Sequence, residues 1–120
     1  MPSQIVRPGD QVFVLNATKV GVMHKAHGEV FIRPGKGTNL LNVNNLAQVP
    51  QGKLYRLLAV TPDGLKGCVH FLPDQDGNVV MTIPPHPTGP ATKLLISLDP
   101  LESRERVDSV PQDTVLAGVI

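Results

Sequence analysis

The sequence predicts an all-β protein: an antiparallel β-sandwich of immunoglobulin-like kind with eight or nine short strands, a small β-barrel being the alternative. Three observations carry this. The apolar runs, rich in Val, Leu, Ile and Phe, are roughly four to eight residues long, the length of strands and too short for ordinary helices. Turn signals recur about every 8–12 residues, the spacing of sandwich and barrel folds. Twelve Pro and eleven Gly are spread along the whole chain, where they interrupt any long helix.

The totals narrow the options further. A chain of 120 residues is one domain by length and buries roughly two-thirds of its unfolded surface on folding. Apolar residues make up 41% of it, enough for a core, while aromatics are only 3% and Trp is absent. Eleven Lys and Arg stand singly among ten carboxylates, for a net charge of +1. No basic stripe is present to neutralise phosphates, and the stacking platforms of single-strand binders are missing, so nucleic acid is not an expected partner. Cys68 is the single cysteine, which precludes an intramolecular disulfide and leaves the redox compartment open. Residues 1–10 read as a polar lead-in without the apolar core of a signal peptide. The apolar run Leu57–Val60 falls far short of the ~20 residues that cross a bilayer. The chain as given reads as soluble, with residues 11–120 as the folded domain.

Taken in order, Gln11–Leu15 is the first strand candidate, apolar on both faces, and Val20–Met23 a short second one. The turn Lys25-Ala26-His27-Gly28 leads into Glu29–Arg33, with Val30 and Ile32 on one face and Glu29, Phe31 and Arg33 on the other. Pro34-Gly35-Lys36-Gly37 is a strong turn signal and makes Thr38–Val43 the second arm of a hairpin. From Val49 to Ile83 the chain reads as a three-strand meander cut by Pro62-Asp63-Gly64 and by Pro73-Asp74-Gln75-Asp76-Gly77-Asn78, since proline sets the first corner of a turn and glycine accepts positive φ at the second. Leu54–Val60 is apolar on both faces, with Arg56 the exception, and is expected at the centre of the sheet. In Leu65–Leu72, alternation places Leu65, Val69 and Phe71 inward and Lys66, Cys68 and His70 towards solvent. Val79, Met81 and Ile83 form the inward face of the next strand. Leu94, Ile96 and Leu98 do the same in Lys93–Leu98. Asp99–Gln112 is a charged excursion with a short helical turn expected within Glu102–Val107, and Thr114–Val119 closes the chain.

Several residues invite a chemical reading, and each has a plainer one. His24 and His27 stand three apart and Cys68 and His70 two apart, so together they offer four zinc donors. A tetrahedral site needs both pairs to converge, which nothing in the spacing requires; the histidines read as surface residues. Cys68 beside His70 also resembles a nucleophile and its base. Side chains at i and i+2 of a strand lie roughly 7 Å apart, long for a thiolate–imidazole pair, and no oxyanion elbow accompanies them. Asp74-Gln75-Asp76-Gly77-Asn78 opens like a calcium loop, but its glycine comes too early and the closing Glu is missing, so a hairpin turn is expected. Gly35-Lys36-Gly37 lacks the helix of a phosphate loop and reads as a turn. Arg56 would need a carboxylate partner if buried; a place near a strand end, or a side chain snorkelling to water, is the expectation. No catalytic, metal or cofactor site is assigned and no enzyme is expected.

The turn and core residues resemble a known family. Pro50-x-Gly52-Lys53-x-Tyr55-x-Leu57, the Pro-Asp-Gly turn, Phe71 and Pro73-Asp74-x-Asp76-Gly77 are similar to the C-terminal domain of the RskA-type anti-sigma-K factors. The likeness continues through Gly28-Glu29-Val30 to Asn45-Leu46, through Lys93-Leu94-Leu95-Ile96-Ser97-Leu98-Asp99-Pro100, and into Val115-Leu116-Ala117-Gly118, so it spans about residues 28–120. Leu58 departs from the family's usual Trp, Arg56 from its Gln and Val69 from its Gly.

The resemblance implies an extracytoplasmic sensor or regulatory domain of a membrane-anchored anti-sigma factor, which controls sigma-factor release and transcription through regulated proteolysis. The sigma factor would bind a cytoplasmic domain beyond a transmembrane helix; neither that helix nor the zinc-binding anti-sigma motif lies in this sequence. A protease or an extracytoplasmic regulator would be the partner of the domain itself, on the outer side of the bacterial cell membrane. An adhesive or ligand-binding β-sandwich module of a secreted or surface protein is the alternative. The long, charged segment Asp99–Gln112 is expected to be mobile and open to proteases.

Overall fold

The computed structural model describes residues 11–18, 25–33, 35, 37–86, 88 and 90–119. The polar lead-in, the strand candidate Val20–Met23, His24, Pro34 and Lys36 lie outside the described residues. Among the described residues eight strands are formed: β1 (Gln11–Ala17), β2 (His27–Ile32), β3 (Asn39–Asn44), β4 (Lys53–Thr61), β5 (Gly64–Phe71), β6 (Val79–Ile83), β7 (Lys93–Pro100) and β8 (Asp113–Val119). The fold is all-β, as expected, and a short 3₁₀ helix at Leu101–Glu105 overlaps the helical turn expected within Glu102–Val107.

The strands run antiparallel in the order β5-β4-β7-β8-β1-β2-β3-β6. They make one nearly closed, barrel-like sheet rather than two independent layers. The reason is β1, which serves both halves. Its first part pairs with β2, from Gln11 opposite Ile32 to Leu15 opposite Gly28, and its end pairs with β8, where Asn16 faces Ala117 and Ala17 faces Leu116.

The core lies between the halves. Phe13, Leu15, Val30, Ile32, Leu41 and Val43 enter it from β1, β2 and β3, and Tyr55, Leu57, Ala59, Leu94 and Ile96 from β4 and β7. The predicted inward faces of β6 and β7 are observed: Val79 and Ile83 are buried, Met81 and Leu98 pack against the core, and Val80 and Thr82 are exposed. Strand β4 is central, between β5 and β7, with residues 54–59 buried on both faces.

Two expectations are corrected. Val49–Ile83 is not a three-strand meander: β4 and β5 form a hairpin through Pro62-Asp63, but β6 pairs with β3. The turn between β5 and β6 is therefore not that of a β-hairpin. Asp74 Oδ1 accepts from the backbone N–H groups of Asp76 and Asn78, both at 2.9 Å, while the Leu46 N–H donates to the Gly77 carbonyl at 2.8 Å. Gln48 Nε2 donates to the Asp74 carbonyl at 2.9 Å. This docks the turn on the β3–β4 connection, which delivers β6 to the far side of β3.

The second correction concerns β5. A bulge shifts its register, so that Val69 faces Leu57 and Gly67 faces Leu58; an extra residue in one strand breaks the two-residue alternation. Cys68 is that extra residue and packs against the core beside Val69, while His70 is exposed. Alternation read from sequence cannot see a bulge and therefore puts Cys68 and His70 on one face.

Candidate functional site

The most developed polar arrangement lies on the outer face of β4 and β7. Alternation on β4 sends Tyr55, Leu57 and Ala59 to the core, and hence Arg56 outward. On β7 it sends Leu94, Ile96 and Leu98 inward, and hence Ser97 and Asp99 outward. Arg56 faces Ser97 across the β4–β7 ladder, which leaves Asp99 two positions along on the same face. Both charged residues are buried, at 3% and 1% exposure.

Arg56 Nε donates to Asp99 Oδ2 at 2.6 Å. Its Nη1 and Nη2 donate to the carbonyls of Val107 (3.3 Å) and Ser109 (3.0 Å). The second carboxylate oxygen of Asp99 accepts from Ser97 Oγ at 2.9 Å and from the Gln112 N–H at 2.7 Å. Such saturation is what allows an ion pair to be buried, because desolvation has to be offset by full pairing. The expectation for Arg56 is thus corrected: it lies mid-strand, buried and paired, and does not snorkel.

The groups it holds belong to the 101–112 connection between β7 and β8. That segment is tied down elsewhere as well. The Leu101 N–H donates to the Gly52 carbonyl at 2.9 Å, Ser103 Oγ to the Pro100 carbonyl at 2.6 Å, and the Gly67 N–H to Asp108 Oδ1 at 2.7 Å. The Val107 carbonyl sits against Gly67 so closely that a Cβ there would come within 1.8 Å of its oxygen. Although its side chains from 104 to 108 are exposed, the segment is anchored along its length.

One hollow borders the ion pair and a second lies beyond Gly67. The first, of about 190 Å³, is bordered by Arg56, Asp99, Glu102, Arg106, Ser109 and Gln112. A wider groove of about 440 Å³ runs past Asp63, Lys66, Gly67, His86 and Asp108. Neither offers a concentrated charge. Each nitrogen of Arg56 already has an acceptor, so it is not an open anion site, and the groove mixes two carboxylates with Lys66 and His86.

The residues singled out from sequence are not brought together. His27 lies exposed on β2, which is not a neighbour of β5, and His24 is outside the described residues. Among the described residues no group of three or more His, Cys, Asp or Glu is placed to hold a metal ion. Burial pushes the Cys68 thiol up to about 11, the opposite of an activated thiolate. Asp74 has one carboxylate oxygen committed to its own turn. Asp99, Ser97 and Gly67 were missed. The available signal was the need of an arginine on an apolar strand for a carboxylate, and Asp99 is the acid on the outward face of the one neighbouring strand that is equally apolar.

No family model matches the chain, and no curated protein or solved structure matches it either. Among the described residues no helix is long and apolar enough to cross a membrane.

Proposed function

We propose that this chain is the extracytoplasmic domain of a membrane-anchored anti-sigma factor of the RskA type, working through its fold and its contacts rather than through catalysis. The observation that carries the reading is the role of the residues behind the resemblance: they interlock around one end of the sheet. Gly52 has φ +83° and its carbonyl receives the start of the 101–112 connection. Tyr55 donates its hydroxyl to the Ala47 carbonyl at 2.8 Å and stacks on Phe71, ring centroids 5.9 Å apart. Asp74 and Gly77 build the turn that docks on Leu46 and Gln48.

These positions serve the scaffold, which is how a pattern of turn and core residues supports a shared architecture. The chemistry present agrees with a contact-based role: the buried ion pair is saturated and the thiol is deactivated by burial. In the full-length protein the domain would stand outside the cell membrane, with the sigma factor held by a cytoplasmic part.

The test is topological. In cells producing the full-length protein, a tag inserted in this domain should be cut by protease added to spheroplasts, and a sigma factor should co-purify with the full-length protein only. A tag shielded inside the cytoplasm, or tight sigma-factor binding by these 120 residues alone, would overturn the proposal.

A further inference from the structure

The 101–112 connection differs from the rest of the molecule in how it is held. Between Leu101 and Asp108 only Ser103 is buried, so the segment contributes almost no apolar side chain to the core. Its attachment is polar and comes chiefly from three sheet residues: Arg56 grips the Val107 and Ser109 carbonyls, Asp99 the Gln112 N–H, and Gly67 the Asp108 carboxylate. Regions with few buried apolar contacts open at lower free energy than the global fold.

We infer that residues 101–112 form a latched strap, which opens as one unit while the barrel-like sheet stays folded. Closed, the strap lies over Gly67 and seals the Arg56–Asp99 pair. Open, it presents Arg104–Gln112 as an extended chain that a protease can thread, and it uncovers the outer face of β4 and β5. A single opening is expected because the anchors are coupled: Asp99 orients Arg56, Arg56 holds the carbonyls of Val107 and Ser109 that bring Gln112 to Asp99, and the Gly67–Asp108 bond lies between those two carbonyls. The inference does not depend on the proposed function. If that reading holds, the strap is the control point at which proteolysis of the domain begins.

Two substitutions release the strap by unrelated routes. Asp99→Asn weakens the pair electrostatically. Gly67→Ala leaves the pair intact and pushes the strap off sterically, since its Cβ would meet the Val107 oxygen. Hydrogen exchange of the full chain should give the Arg106, Ser109 and Gln112 amides a common opening rate in the wild type. Gly67→Ala should raise that rate, and trypsin cleavage after Arg104 and Arg106, by tenfold or more, with the β7 and β8 amides as protected as before. Asp99→Asn should do the same; if it unfolds instead, Gly67→Ala still decides. Unequal rates at the three amides, unchanged cleavage in Gly67→Ala, or loss of β7 and β8 protection in step with the strap would each overturn the inference.

Discussion

Tyr55 and Phe71 face each other across the β4–β5 ladder, their rings stacked 5.9 Å apart at an interplanar angle of 19°. Tyr55 is also hydrogen-bonded to the Ala47 carbonyl, so one side chain ties the hairpin to the β3–β4 connection. Tyr55→Phe keeps the stack and deletes the bond, and should cost about 1 kcal/mol. Tyr55→Ala removes the ring from the core and should cost about 3–5 kcal/mol. Urea unfolding of the pair measures both; equal stability of wild type and Tyr55→Phe would show that the hydroxyl contributes nothing.

The Arg56–Asp99 pair carries its own prediction. Arg56→Ala leaves Asp99 buried and unpaired and should destabilise by about 3–5 kcal/mol. The double substitution Arg56→Met with Asp99→Leu removes both desolvation costs and should recover much of that loss. Denaturant midpoints at constant m-value provide the comparison. A double variant weaker than either single one would mean that the pair is strongly stabilising in its own right.

Two glycines with positive φ separate backbone strain from crowding. Gly52 (φ +83°) has open space where a Cβ would go, whereas at Gly77 (φ +81°) a Cβ would lie 2.4 Å from the Leu46 carbonyl oxygen. Gly52→Ala should cost only the left-handed penalty, about 1–2 kcal/mol. Gly77→Ala should cost about 1–3 kcal/mol more, from overpacking against the docked turn. Similar losses at the two sites would argue that the turn is not held against Leu46 in solution.

Stability should decline in alkali. The Cys68 thiol is raised by burial from 9.0 to about 11, so the folded state keeps a proton that the unfolded chain gives up. Its contribution is complete below about pH 9 and is lost as pH rises through 11. Burial also raises Tyr55 from 10.0, which adds a loss of the same sign at higher pH. Cys68→Ala should flatten the pH dependence that begins near 9. Alkylation of Cys68 near neutral pH should be slow in the native protein and fast in urea; rapid native alkylation would contradict the burial.

The fold was legible where residue patterns act locally. Pro62-Asp63-Gly64 and the alternation of Leu94, Ile96 and Leu98 are short-range signals, and the strands they predict are present. Two kinds of feature escaped. The bulge at Cys68 changes the parity of one strand without changing its composition, so alternation alone puts Cys68 and His70 on one face. The departure of β6 to β3 depends on Gly77 docking against Leu46, a contact between segments 31 residues apart in sequence. The ion pair falls between these cases. Arg56 announced that it would need a carboxylate if buried, but only the β4–β7 register brings Asp99 beside it.

The sharing of β1 between the two halves has a kinetic consequence. The seam that completes the sheet joins Asn16 and Ala17 to Leu116 and Ala117, so the two ends of the chain must find each other before the sheet is whole. Loop closure over that span comes before any reward from the contacts it permits. A topology dominated by such distant pairings should fold on the millisecond-to-second scale rather than in microseconds. Because both ends hold one seam, trimming β8 and trimming β1 should speed unfolding in the same way.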